Sequence, residues 1–208
     1  MISQTAKKLA TQLLDTESVK FGAFKLKLHE TNPDAPLSPI YIDLRIMRSF
    51  PNVMATAVEV YQAMIKNISF ELLADCPTSA TPATAILSYL TKRPMISPRK
   101  GDKGYGSGAK IDGSFRTDQT AVLIDDLITS ANSKFEAIET LQGHGLVVKD
   151  VVVLLDREQG GADQLKKAGY ILHSALKLTE LMDYYLGQGK ISDEKYKETL
   201  NYIKAQSV

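Results

Sequence analysis

Residues 121–133 read AVLIDDLITSANS. An apolar run, Ala121 to Ile124, meets two adjacent acids, Asp125 and Asp126, then two more apolar residues and the small polar string Thr129, Ser130, Ala131, Asn132 and Ser133. Phe135, Ile138 and Leu141 follow at helical spacing. A strand that runs through a hydroxyl-rich turn into a helix is a phosphate-binding geometry. The N–H groups of the turn converge, and the helix N-terminus adds partial positive charge. Two carboxylates just ahead of the turn suit a polyol, because each accepts hydrogen bonds from neighbouring hydroxyls. Phosphate beside a vicinal diol describes a ribose 5-phosphate. An Asp pair alone more often closes a loop, and Thr or Ser alone more often caps a helix. The complete string carries the reading.

Outward from this stretch, helical and strand periods alternate. Residues 53–65 predict a helix, ISFELLA (68–74) a buried strand, 84–91 a helix and PMIS (94–97) a strand. After the central strand 121–125 come a helix over 133–142, a strand over 151–155, a short helix near 162–168 and a strand over 170–175. This order implies an α/β fold, a doubly wound and mainly parallel sheet flanked by helices, with right-handed crossovers. Ligands of such sheets sit at the carboxyl ends of strands, where Asp125 and Asp126 are expected. Upstream, residues 3–14 form an amphipathic helix. VKFGAFKLKL, carrying Lys27, and PIYIDLR, carrying Tyr41, alternate as two strands of a small antiparallel unit. The Pro- and Asp-rich segment between them reads as a loop. We expect one domain over 1–208, with a hood over 1–50 and an α/β core over 51–208. Two helices close the chain, the last capped by Ser192.

Composition excludes more than it selects. Apolar residues make up 44% and charged residues 24%, ordinary for a globular protein, and the formal net charge of +1 gives no bulk attraction to nucleic acid or anionic membrane. A single cysteine, Cys76, rules out an intramolecular disulfide and fits a reducing cytoplasm. No apolar run is long enough to span a bilayer, and the N-terminal pattern is that of an amphipathic helix rather than a signal peptide. The three histidines are scattered without metal-ligand spacing.

RKGDKGYGSGAKIDG (99–113) places Arg99, Lys100, Lys103 and Lys110 among five glycines. Cations on a mobile loop stabilise the charge that builds on a departing pyrophosphate, and closure of the loop excludes water from a glycosyl cation.

The 121–133 string resembles the signature of type I phosphoribosyltransferases. FGAFKLK, SPIYIDLR, PRKGDKGYG and LLDREQGGADQLKKAGYILHS, in that order, make residues 18–205 similar to the orotate phosphoribosyltransferase family, above all to the form found in UMP synthase. The resemblance implies transfer of ribose 5-phosphate from phosphoribosyl pyrophosphate to orotate, with Mg²⁺ held mainly by substrate and water. It implies a cytoplasmic homodimer whose active sites are shared, the cationic loop of one subunit reaching into the other. By resemblance Lys27 belongs to the ribosyl or orotate side, and Tyr41 lies against the base. Arg99, Lys100 and Lys103 match the pyrophosphate cations, Lys103 being most closely tied to catalysis, and Tyr105 occupies a loop position where other members carry His. Asp125 and Asp126 match the ribose-binding acids, Thr129, Ser130, Ala131, Asn132 and Ser133 the 5-phosphate turn, and Arg157 the cation facing orotate.

Three residues and one segment depart from that pattern. Ala131 stands where the family has Gly, so Asn132 is expected to absorb the turn's strain at positive φ. Asp75 replaces the leading Gly of the pyrophosphate loop, Gly104 replaces an acid, and LHETNPDAPLSP is longer than the usual turn. The long segment leaves a phosphoribosyltransferase for another base as an alternative. Asp75 and Gly104 leave a non-catalytic regulator that binds phosphoribosyl pyrophosphate, against which Lys103 argues.

Overall fold

A computed structural model describes residues 2–25, 27–30, 32–99 and 110–206. Ser3 caps the first helix, α1 (Gln4–Asp15), its hydroxyl accepting the Ala6 N–H at 3.1 Å. The apolar face of α1, Ala6, Leu9, Ala10 and Leu13, is buried against α2 (Pro51–Ile65). Between them β1 (Val19–Phe24) and β2 (Ser38–Ile42) pair antiparallel, as the alternation of apolar residues predicts.

The main sheet has six strands: β3 (Leu72–Asp75), β4 (Met95–Pro98), β5 (Ile111–Asp112), β6 (Thr120–Ile128), β7 (Val147–Asp156) and β8 (Ile171–Lys177). Their spatial order is β5-β4-β3-β6-β7-β8, and every pair is parallel except β4–β5. The chain therefore builds outward from β3 in one direction and from β6 in the other. β3 and β6 lie side by side at the point of reversal, Asp75 opposite Ile124, which is where an open α/β sheet leaves a crevice for a ligand. One apolar layer lies beneath α1, α2, α3 (Thr81–Thr91) and α6 (Leu178–Gly187). The opposite layer joins Leu123, Val151 and Val153 to Ala137, Ile138 and Leu141 of α4 (Asn132–Gln142) and Leu165 of α5 (Gly161–Lys167). The final helix, α7 (Asp193–Gln206), packs on β2, and the Ser192 hydroxyl accepts the Lys195 N–H at 3.3 Å.

Several sequence expectations are corrected. Lys27 is not in the first strand: β1 stops at Phe24, which pairs with Ser38, and Lys27 opens a 3-10 helix over Lys27–Glu30. Upstream of Ser38, Pro36 supplies no N–H and the Ala35 N–H is taken by the Asn32 carbonyl at 3.2 Å, so the ladder does not reach Lys27. The strand expected over 68–74 is confined to Leu72–Asp75. The loop expected over 99–113 ends in sheet structure, because Ile111–Asp112 pairs with Ser97 and Pro98. The central strand does not stop at Asp125. It runs to Ile128, held by β7 out to the Ile128–Asp156 pair, so both acids lie within a strand.

Candidate active site

Successive strand residues point to opposite faces, and the acid pair is split accordingly. Asp125 is 4% exposed and faces α4, where Lys134 Nζ lies 2.5 Å from its Oδ2. The same ammonium donates to the Leu127 carbonyl at 2.6 Å and to Ser133 Oγ at 3.4 Å. Asp125 Oδ1 accepts the Asp126 N–H at 2.9 Å. From the other side of the sheet the buried Tyr61 phenol donates to the Asp125 carbonyl at 2.7 Å, and burial raises that phenol's pKa well above its ordinary value. Asp126 is half-buried, and its Oδ1 accepts the Leu127 N–H at 2.9 Å. Loss of solvent, with the neighbouring charge of Asp125 next in weight, pushes its carboxyl up to about 7. Arg45, held by Asp43 through contacts of 2.7 and 2.9 Å, contributes a favourable charge interaction with Asp126.

The turn 129–133 then leads into α4. Ala131, fully buried, has φ −86°, and Asn132 is not among the residues at positive φ, so no strained residue replaces the missing glycine. Neighbours fix the turn instead. The Ala131 N–H donates to Gln164 Oε1 at 2.8 Å, and the Gly161 N–H donates to the Thr129 carbonyl at 2.9 Å. A Cβ on Gly161 would come within 2.6 Å of both Ile128 and the Thr129 carbonyl, so only glycine permits this approach. The second glycine of EQGG therefore supports the 129–133 turn through close packing.

At the end of β3 the Asp75 carboxylate does not project into the crevice. It is fully buried, Oδ2 accepts the Thr81 hydroxyl, and Oδ1 has no hydrogen-bond partner among the described residues. Cys76 and Pro77 line a cavity of about 360 Å³ with Ser133 and Arg99. The Arg99 guanidinium is anchored by Asp112, its Nε 2.8 Å from Oδ2, so the structure puts it beside Cys76, Pro77 and the turn rather than at the acid pair. Lys100, Lys103 and Tyr105 lie outside the described residues, as does the side chain of Lys27.

In the two-stranded unit, Tyr41 packs its ring 5.5 Å from that of Phe24. Arg157 follows the end of β7, its N–H donating to the Ile128 carbonyl at 2.9 Å. Its side chain is 7% exposed, and Nε and Nη2 have no hydrogen-bond partner among the described residues. Burial lowers its pKa. Tyr202 of α7 exerts a compensating effect on Arg157, and its own buried hydroxyl is likewise unpartnered among the described residues.

No protein-family model matches the sequence. The chain is 34% identical over 193 residues to the orotate phosphoribosyltransferase of Pyrobaculum aerophilum, covering 92% of this chain and 96% of that protein. The chain belongs to the orotate phosphoribosyltransferase family. It is also 35% identical over 198 residues to the uridine 5′-monophosphate synthase of Bos taurus, covering 94% of this chain but only 40% of that protein. The UMP synthase structure from Leishmania donovani superposes with a TM-score of 0.84 at 30% identity, over 96% of this chain and 42% of that one.

As an orotate phosphoribosyltransferase-family fold, the structure brings Asp125, Asp126 and the 129–133 turn together and places Arg157 one strand away. Residues that sequence reasoning missed are Lys134, Gly161, Gln164 and Tyr61. Lys134 had a readable signal, since it precedes Ala137, Ile138 and Leu141 by three, four and seven residues and so lies on the core-facing stripe of α4. Gln164 and Tyr61 had none, because their partners are distant in sequence.

Proposed function

We propose that the protein is an orotate phosphoribosyltransferase of pyrimidine nucleotide synthesis, converting orotate and phosphoribosyl pyrophosphate to orotidine 5′-phosphate and pyrophosphate. Arg157 carries the choice of base. A buried guanidinium with Nε and Nη2 unmet among the described residues is matched by a planar carboxylate, and orotate is a pyrimidine bearing one. The 129–133 turn would take the 5-phosphate and Asp126 a ribose hydroxyl, with Asp125 behind it fixing the strand and the turn. Orotate N1 attacks C1′ as the bond to pyrophosphate breaks, and the loop cations Lys100 and Lys103, with Arg99, receive the leaving charge. Tyr105 belongs to the same loop, and Lys27 and Tyr41 to the base side. Positioning and leaving-group stabilisation account for the acceleration, with no covalent intermediate required.

Mg²⁺ is part of this reading. Asp125 already has Lys134 as its cation, which suits an ion that arrives on pyrophosphate and keeps most of its ligands from substrate and water. The ion would supply charge neutralisation on the leaving group. A homodimer is supported by the exposed stripe Ile86, Tyr89 and Leu90 on α3, an apolar surface unusual for an isolated chain. Among the described residues no helix is long and apolar enough to cross a membrane, and a lone cysteine, Cys76, fits a cytoplasmic setting.

Of the two residues that suggest a non-catalytic regulator, Asp75 is turned into the core toward Thr81, which weakens that alternative, and Gly104 lies outside the described residues. The test is Mg²⁺-dependent loss of orotate absorbance in the presence of phosphoribosyl pyrophosphate. Turnover with uracil or a purine and none with orotate overturns the choice of base.

A further inference from the structure

Lys134 is the one charged side chain on the core-facing stripe of α4, 3% exposed beside Ala137, Ile138 and Leu141. An aliphatic side chain would fill that position without the cost of removing an ammonium from water. The cation is therefore not needed for packing, and its contacts say what it is for. Nζ touches Asp125 Oδ2 at 2.5 Å, the Leu127 carbonyl at 2.6 Å and Ser133 Oγ at 3.4 Å. Those partners are an acid of the pair, the strand immediately beyond the pair, and the last residue of the phosphate-binding turn.

We propose that Lys134 is a positioning residue for the ribose-phosphate site, its ammonium clamping Asp125, Leu127 and Ser133 into one unit before substrate arrives. The inference rests on reading the site as one for a ribose 5-phosphate. Without the clamp, the buried Asp125 carboxylate has no other ion-pair partner among the described residues, and the turn is free to drift from the strand that presents the acids. Pre-organisation of this kind strengthens binding by removing ordering costs. The ribose phosphate is held alike in the ground and transition states, so the loss belongs in KM rather than kcat. Because Lys134 acts through Asp125, removal of either partner also removes most of what the other contributes.

The test is a cycle of Lys134→Met, Asp125→Asn and the double variant in the full-length protein, reading phosphoribosyl pyrophosphate affinity by calorimetry and KM and kcat with orotate. Lys134→Met is expected to weaken affinity by about tenfold or more while kcat stays within about threefold, and the double variant to bind no worse than Asp125→Asn. Wild-type affinity in Lys134→Met, losses that multiply in the double variant, or a kcat that falls as far as affinity overturns the proposal. If Lys134→Met does not fold, the double variant and Asp125→Asn are compared directly: equal affinity supports the clamp, and a further loss in the double variant overturns it. Wild-type protein that binds phosphoribosyl pyrophosphate but turns over no base refutes the proposed reaction, and the binding cycle still decides the role of Lys134.

Discussion

Replacement of Asp126 by Asn should stabilise the ligand-free protein, and by more at alkaline pH than at acid pH. The carboxyl is pushed from an ordinary 3.8 to about 7, first by burial and then by Asp125, while the backbone N–H of Leu127 and the charge of Lys134 pull the other way. Tyr61 on α2 and Arg45 after β2 face it as well. A raised carboxyl pKa means the folded protein holds a proton that the unfolded chain releases. Below the unfolded value both states are protonated and nothing is lost. Between the two values stability falls as pH rises, by about 1.4 kcal/mol per unit, and above about 7 the loss is complete. The shift of roughly 3 units corresponds to an upper bound of about 4 kcal/mol at pH 8 and less than half of that at pH 5.

Asn keeps the shape and the oxygen that accepts the Leu127 N–H, so the substitution removes the charge and little else. Urea denaturation of wild type and Asp126→Asn at pH 5 and pH 8 measures the difference directly. The advantage of the variant should grow by about 2–3 kcal/mol across that interval, within the upper bound. The same variant should bind phosphoribosyl pyrophosphate poorly, a trade of stability against function expected where a charge is kept for a ligand. An advantage equal at both pH values refutes the electrostatic reasoning.

Two other outcomes follow from the site. Arg157→Met roughly preserves volume but removes two buried donors that have no partner among the described residues, so kcat/KM for orotate should fall by about 100-fold or more while thermal stability holds or rises, measured by turnover and melting temperature. Wild-type selectivity for orotate over uracil in that variant would remove Arg157 from base recognition. Lys103→Ala should lower kcat by at least about tenfold, and mixing it with Asp126→Asn subunits should restore activity toward half the wild-type value if the loop crosses a dimer interface. A mixture that stays inactive after confirmed subunit exchange places Lys103 in its own subunit's site.

Much of this was legible because binary patterns survive at the resolution of single residues. Ala121 to Ile124 is buried on both faces, and Ala137, Ile138 and Leu141 share one face, so strand, turn and helix could be placed around the acids. What failed depended on partners across the fold. Charged residues usually end a buried strand, but β6 continues through Asp125 and Asp126 because β7 pairs with it to Ile128 and Lys134 neutralises one acid. Lys27 was read into β1 by alternation alone, although the strand ends where its partner does. Asp75 suggested a charge facing pyrophosphate, yet Thr81, six residues later, supplies a hydroxyl that accounts for its inward turn.

The adjacent acids are consequently not equivalent. Both oxygens of Asp125 are engaged inside the protein, one by Lys134 and the other by the Asp126 backbone, and the residue is nearly inaccessible. Asp126 keeps part of its surface open, and its proton affinity is raised by its surroundings. Where two titratable groups are separated in this way, their roles separate too. Asp125 is suited to fixing the strand and the turn, and Asp126 to meeting a ligand hydroxyl, a contact strongest after it has lost its proton. Adjacency in sequence suggested a symmetric diol clamp; the pleat of β6 and the lysine behind it make the clamp asymmetric.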